Sequence, residues 1–429
     1  MQVLLKGLRV VNPDQKLDKN SDILIEEGII KEIGSIDASK CQDAKVLDLQ
    51  NCVCVPGLYD MHVHLREPGR EDKETVVTGS NAAAAGGFTG IACMPNTTPA
   101  IDSAEVIKLI AEKSAKHLVE VNPIGAVTNG RKGESLAPML ELADAGAVGF
   151  SDDGVAVKTS AILRSALEYS QMIGAPIIEH CEDESMAGGA MNESEISTQL
   201  GLPSIATAAE DIIVMRGILL SEYTGGKFHV SHISSSRSVE LVREAKQRGL
   251  NVTAEVTPHH FTLSDENVKS FDTNFKMNPP LREQKDVDAI IEGLKDGTID
   301  CIASDHAPHA LEDKEMEFVY APNGILGLET QLGLALTELY HTQRLTLEQL
   351  IEKLSINPRK ILNLSIPQIA EGEKANLTIL SPDLEWEVDI KKFKSKSKNS
   401  PFHERKLKGK SVAVINNSQL YYEDEFINL

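Results

Sequence analysis

Along this chain short apolar runs rich in β-branched residues alternate with longer stretches in which apolar residues recur every three or four positions. Eight runs stand out, at 52–64, 86–96, 119–128, 146–153, 175–180, 227–232, 251–260 and 300–309. Their length and composition predict buried strands. Between them the period lengthens to that of a helix. In 103–117 it puts Val106, Ile107, Ile110 and Ala111 on one face; in 160–174 it does the same for Ile162, Leu163, Ala166 and Leu167, with Gly174 as the stop. Segments 236–249 and 285–297 repeat the scheme, the first opening on Ser236 and both ending in Gly. Strand and helix alternating eight times predict an α/β fold, a (β/α)8 TIM barrel, with a doubly wound sheet as the lesser option.

The two ends of the chain lack long helical periods. Residues 1–55 carry QVLLKGLRVV, DILIEEGIIKEIG and AKVLDL, and residues 370–429 carry ANLTILSP, EWEVD and SVAVINN. These strand-like runs predict one small composite β domain formed by both chain ends, 1–55 plus 366–429, beside a catalytic barrel over 56–365. The basic, Ser-rich stretch 391–410 reads as a solvated loop.

Composition narrows the class. The chain has 429 residues, 41% hydrophobic and 25% charged, an ordinary globular balance. It holds no apolar run near the ~20 residues of a membrane span. Its first apolar run is broken by Lys6 and Arg9, which argues against a signal peptide. The net charge of 43 − 64 = −21 argues against a nucleic-acid or anionic-membrane binder. A small anionic substrate stays compatible, because one buried Arg outweighs a distant acidic surface. The six cysteines form no C-x-x-C pair and mostly sit in strand-like runs, so reduced core thiols and a cytoplasmic location are expected.

Polar residues gather at the C-terminal ends of the runs, the rim where barrel active sites sit. The first run ends in His62-Val63-His64, two imidazoles on one side of a strand. The fourth ends in Asp152-Asp153, the fifth in His180, the sixth in His232 and the eighth in Asp305-His306. Imidazole and carboxylate without thiolate suit Zn²⁺ at an open, catalytic site. One of Asp152 and Asp153 is expected to bridge a metal pair; Lys158 lies too far beyond the strand to do so. His229 and His306 are expected to face away, and His259 and His260 are held back as ligands. His117, His341 and His403 are expected at the surface. Arg66, two positions past His64, is expected on the same side of an extended chain, where a guanidinium grips a carboxylate with two hydrogen bonds. Asn96 and Asn278 follow or end strand runs and can reach the same space. The segment 307–327 reads as a rim loop partly covering the site.

The series DMHVHLREPG, GGFTGIACMPNTTP, FSDDG, EHCED, HVSHIS, TPHH, KMNPPLR, ASDHAPH and APNGILGLET resembles the motif series of the dihydroorotases, the bacterial class I type of the amidohydrolase superfamily. The resemblance runs from about residue 2 to residue 381. It implies a barrel with a composite β domain and a zinc-dependent cyclic amide hydrolase of pyrimidine biosynthesis. The implied reaction is the reversible cyclisation of N-carbamoyl-L-aspartate to dihydroorotate and water. It implies one or two zinc ions per chain, two being the expectation. His62, His64 and Asp305 would hold one, His180 and His232 the other, with Asp153 bridging. Asp305 would be the catalytic proton carrier. His64, Arg66, Asn96, Asn278, His309, Asn323 and Gly324 would bind substrate, the last two through backbone groups. A homodimer and an association with aspartate carbamoyltransferase are the partner expectations. Ile233, Ser234 and Ser304 depart from the common family pattern without removing a ligand. Competing readings are another cyclic amidase, such as an allantoinase or dihydropyrimidinase, and a silent scaffold. Asp153 in place of a carboxylated lysine, Arg66, and the complete set of ligands argue against them.

Overall fold

The computed structural model of the chain describes residues 1–41 and 44–429. Eight parallel strands form the barrel: β1 (Leu58–Val63), β2 (Phe88–Cys93), β3 (Glu120–Ala126), β4 (Gly149–Ser151), β5 (Ile177–Glu179), β6 (Phe228–Val230), β7 (Val252–Val256) and β8 (Cys301–Ile302). They pair in sequence order from β1 to β8. Past β8 the ring closes through a parallel bridge from Val63 to His306 and a hydrogen bond from the His64 N–H to the His306 carbonyl, 2.9 Å.

The helices are set by the periods and caps described above. Ala104–Ser114 buries Val106, Ile107 and Ile110, and Ser160–Ile173 buries Leu163, Ala166 and Leu167 before Gly174 turns the chain at φ 74°. A 17-residue helix, Ala208–Thr224, lies between β5 and β6 and carries apolar residues all round, so no single face marks it in the sequence. Its Gly217 lies so close to Phe228 of β6 that a Cβ there would sit 1.9 Å from the ring. Gly217→Ala should therefore destabilise the fold by ~1–3 kcal/mol through overpacking, outweighing the ~1 kcal/mol gained in helix propensity. A lower calorimetric unfolding midpoint checks this; an unchanged or higher one contradicts it.

Both chain ends join in one nine-stranded sheet. Its seam is the short strand Val53–Pro56, which pairs parallel with Gln2–Asn12 and antiparallel with Leu377–Glu387. This corrects one expectation. The run 52–64 is not a single barrel strand but two strands in two sheets, divided at Gly57. A Cβ at Gly57 would lie 2.0 Å from Asn376 Oδ1 and 2.2 Å from Thr89 Oγ1, so the crossing point admits no side chain. The sheet has its own apolar core, including Leu5, Ile23, Leu377 and Ile415.

The stretch 391–410 is not a solvated loop either. Ser395, Ser397 and Asn399 are buried while Lys394, Lys396 and Lys398 stay at least partly exposed, a period-two alternation. Five of the six cysteines are buried and all six are free thiols. Among the described residues no helix is long and apolar enough to cross a membrane.

Candidate active site

The strand ends open onto a cavity of about 210 Å³. It is lined by eleven of the residues singled out above: His64, Arg66, Asn96, Asp153, His180, His232, Asn278, Asp305, His309, Asn323 and Gly324. His62 lies just behind, fully buried.

The pleat of β1 sends His62 and His64 to one side, their ring centroids 5.3 Å apart. His62 Nε2 is 3.4 Å from Asp153 Oδ1, and His64 Nε2 is 3.5 Å from Asp153 Oδ2 and 2.9 Å from Asp305 Oδ1. Across the cavity His180 Nδ1 and His232 Nε2 are 3.0 Å apart, at 3.9 and 3.8 Å from Asp153 Oδ1. Asp153 thus stands between two pairs of imidazoles. Asp152 does not: its carboxylate accepts the Val127 and Thr128 N–H groups and the Thr128 hydroxyl, which ties it to the end of β3. With Asp152 turned outward, the next side chain points in.

The ligand atoms of His62, His64 and Asp153, and those of Asp153, His180 and His232, form two buried groups, each within 4.8 Å. Among the described residues His62 Nε2 and Asp153 Oδ1 are buried without a hydrogen-bond partner. Each such atom costs ~1–3 kcal/mol unless something satisfies it. The outer nitrogens, by contrast, are held. His62 Nδ1 is 2.6 Å from Glu255 Oε1, and His64 Nδ1 is 2.8 Å from Asn96 Oδ1. Acceptors there put the proton on Nδ1 and turn the Nε2 lone pair inward, the arrangement a divalent cation requires. The residues present fit such an ion.

Charge agrees with this geometry. Burial would raise Asp153, but the surrounding His62, His232 and His64 outweigh it and hold the carboxyl well below its usual range. Burial likewise opposes ionisation of Asp305, and the hydrogen bond with His64 and the charge of His62 overcome it. Burial pulls Arg66 down to about 10, which still leaves it charged at neutral pH.

Three of these residues leave the extended strand geometry. Arg66, His232 and Asp305 have φ of 60°, 31° and 45°. This is the left-handed region, which costs L-residues on the order of 1 kcal/mol or more. It corrects the reading of Arg66. Strand alternation does not carry it to the cavity; β1 ends at Val63 and a turn does. Arg66 Nε donates to the Pro308 carbonyl at 3.2 Å, and among the described residues the guanidinium makes no ion pair. Its neighbours Glu67 and Glu71 are engaged elsewhere, with Lys113 and the Gly69 N–H.

On the wall beside Arg66, His309 Nε2 donates to the Asn323 carbonyl at 2.8 Å and Nδ1 accepts from Lys73 Nζ at 3.0 Å. Burial first, then the nearby cations Arg66, Lys73 and Lys314, push His309 down to about 2, so its ring is neutral. Gly324 sits at φ 151°, and a Cβ there would lie 2.7 Å from the Ala307 carbonyl oxygen. Asn278 Nδ2 donates to Glu182 Oε2 at 2.9 Å, beside His180.

Several contributors escaped the sequence reading. Glu255 of β7 joins His62 to His229 Nε2, 3.2 Å away. Asp60 accepts the N–H groups of His62 and Ser304, locking β1 to β8. Arg131 holds the Asp152 carbonyl at 3.2 Å, and also that of Asp153. A lone acid at an inward position of the run VTAEV was the available signal for Glu255. His306 faces away toward Glu74, and His260 holds the Pro279 carbonyl. Of the three imidazoles expected at the surface only His403 is exposed; His117 and His341 are half-buried, bonded to Asn81 and to the Pro382 carbonyl. Lys158 is exposed.

A family model described as Dihydro-orotase-like matches residues 51–238. The chain is 49% identical over 427 residues to the dihydroorotase of Syntrophus aciditrophicus, covering 99% of this chain and 100% of that one. It is 48% identical to that of Pelotomaculum thermopropionicum, with both chains fully covered. Among solved structures it is similar to the L-hydantoinase (dihydropyrimidinase) of Arthrobacter aurescens, with TM-score 0.86, 26% identity, and 100% and 97% of the two chains covered.

Proposed function

The chain belongs to the dihydroorotase family, and from that premise we propose how its own residues carry the reversible closure of N-carbamoyl-L-aspartate to dihydroorotate. His62, His64 and Asp305 would hold one zinc ion and His180 and His232 a second, with Asp153 placed to serve both. The position of one ionised carboxylate between two imidazole pairs carries this assignment. A divalent ion held there would supply Lewis acidity, making water a usable nucleophile near neutral pH and polarising a carbonyl oxygen.

The protein's part is orientation and proton transfer. Arg66 takes the substrate carboxylate, with the Asn96 amide, whose oxygen is already bonded to His64, free to donate from nitrogen to the same group. Asn323 and Gly324 contact the ring through backbone groups, and neutral His309 packs against it. This fixes the reacting amide carbonyl over the Asp153–Asp305 side of the cavity. In the hydrolytic direction Asp305 accepts the proton of the attacking water. It returns that proton to the ring nitrogen as the tetrahedral adduct collapses. In the synthetic direction Asp305 takes the proton of the ring-closing ureido nitrogen and passes it to the departing oxygen. Asp153 stays ionised throughout.

The test is turnover of dihydroorotate by the purified, zinc-loaded chain, with metal content measured on the same sample. Two zinc ions per chain with turnover are expected. Metal-replete protein that does not turn over dihydroorotate would overturn the reading. Arg66→Ala removes the one charged partner of the carboxylate. It should raise KM for dihydroorotate about 100-fold, in keeping with a charged hydrogen-bond pair of ~1.5–3 kcal/mol, while zinc content stays unchanged. An unaltered KM would exclude Arg66 as the clamp.

A further inference from the structure

We propose that Asn399 is a positioning residue for this reaction: from the segment before the strand Lys406–Asn416 it sets the backbone wall on which the substrate carboxylate is held. The inference rests on the assignment of Arg66 and the 307–324 wall to the substrate.

The observation is a concentration of hydrogen bonds on one buried side chain. Asn399 Nδ2 donates to the Ala307 carbonyl at 3.0 Å and to the Gly324 carbonyl at 3.1 Å, and its Oδ1 accepts the His309 N–H at 3.0 Å. Its backbone carbonyl accepts from Leu326 N at 3.0 Å. One side chain thus uses both amide protons and its oxygen to join the two halves of the rim segment, 307–309 and 324–326. Those halves carry His309 and Gly324, and Pro308, whose carbonyl holds Arg66 Nε. Asn399 is buried yet does not line the cavity, so it acts through these groups and not on substrate.

The same strand-like segment also grips the loop after β1. The Ser395 hydroxyl donates to Glu74 Oε2 at 2.5 Å and the Ser397 hydroxyl to the Lys73 carbonyl at 2.7 Å. Lys73 in turn fixes the His309 ring. The Arg66 loop and the His309–Gly324 wall are therefore held at a common spacing by residues 395–399, which no barrel strand supplies. Among the described residues no hydrogen bond joins Asp153, His180 or His232, at the ends of β4, β5 and β6, to this segment. Loss of Asn399 should accordingly reach substrate binding before it reaches metal binding.

Asn399→Ala should raise KM for dihydroorotate by about 10- to 100-fold, the range an ångström-scale misplacement produces, with zinc content unchanged and kcat within about threefold. Asn399→Asp keeps the shape and the acceptor for His309 but loses both donors, and should raise KM at least as much. Arg66→Ala is measured alongside. A shift in KM for both Asn399 variants, with unfolding midpoints recorded, supports the inference; a merely structural role would lower the midpoint and leave KM of the folded fraction alone. Unchanged KM in the Asn399 variants with a raised KM in Arg66→Ala overturns the inference and spares the clamp; unchanged KM in all three overturns both. Should neither Asn399 variant fold, Ser397→Ala, which frees the Lys73 carbonyl, must raise KM in the same sense, and an unchanged KM there overturns the inference.

Discussion

Asp305→Asn should lower kcat for dihydroorotate by about 10²- to 10⁴-fold, the contribution of a positioned general acid–base group, while KM stays within a few-fold. The substitution is chosen for what it leaves intact. Asp305 sits at φ 45°, and Asn tolerates the left-handed region as well as Asp does. The new amide nitrogen can donate to the inward Nε2 lone pair of His64, which lies 2.9 Å from Asp305 Oδ1 in the parent protein. His62, His64 and Asp153 remain to hold metal, so zinc content should fall little. What is lost is the basic site that takes and returns a proton. Steady-state kinetics in both directions, with metal analysis, check this. A kcat within tenfold of the parent protein would remove Asp305 from the proton path.

His62→Ala should cost more, because it fails at two levels. It removes one candidate ligand atom, Nε2, of the first group, and with it the zinc of that group and the turnover that depends on it. It also strands Glu255. That carboxyl is fully buried; burial opposes its ionisation, yet His62 and His229 hold it down at about 2. Taking away one partner of a buried charged pair typically costs ~3–5 kcal/mol. The variant should therefore lose the zinc of the first group and show a lowered unfolding midpoint. Adding Glu255→Gln to His62→Ala should recover part of the stability and none of the zinc. A double variant no more stable than the single one would show that Glu255 is not the source of the loss. A His62→Ala protein with full zinc would refute the ligand assignment.

The eight runs and their intervening periods were legible because both are local. A strand of β-branched residues and a helix with one apolar stripe each declare themselves within a dozen positions. Where the local signal fails, the cause can be named. The run 52–64 reads as one strand because nothing in its apolar pattern says that Gly57 is where two sheets part. The helix Ala208–Thr224 hides because it is apolar all round. The stretch 391–410 looks solvated because its lysines dominate the composition. Its period-two spacing of Ser395, Ser397 and Asn399 was visible and pointed to the buried face.

The site divides along the same line. Residue types and strand-end positions, read in the sequence with the family motifs, marked His62, His64, His180, His232 and Asp305 as candidates for one rim. Sequence position alone left Asp152 and Asp153 equivalent. The choice between them comes from Thr128 and Val127, which capture the first and leave the second facing the imidazoles. Which nitrogen of each ring faces inward depends on Glu255 and Asn96, which are 193 and 32 residues from the rings they hold. Arg66 reaches the cavity by a turn and not by a pleat. The sequence by itself determined most of the barrel strands and the helices with one apolar stripe, the composite sheet and the chemical inventory of the rim, because these follow from patterns within single segments. Long-range contacts decided which imidazole nitrogens face inward, which of the two aspartates stands between the histidines, and how the wall beside Arg66 is held. Those are contacts between segments far apart in the chain, and no local period records them.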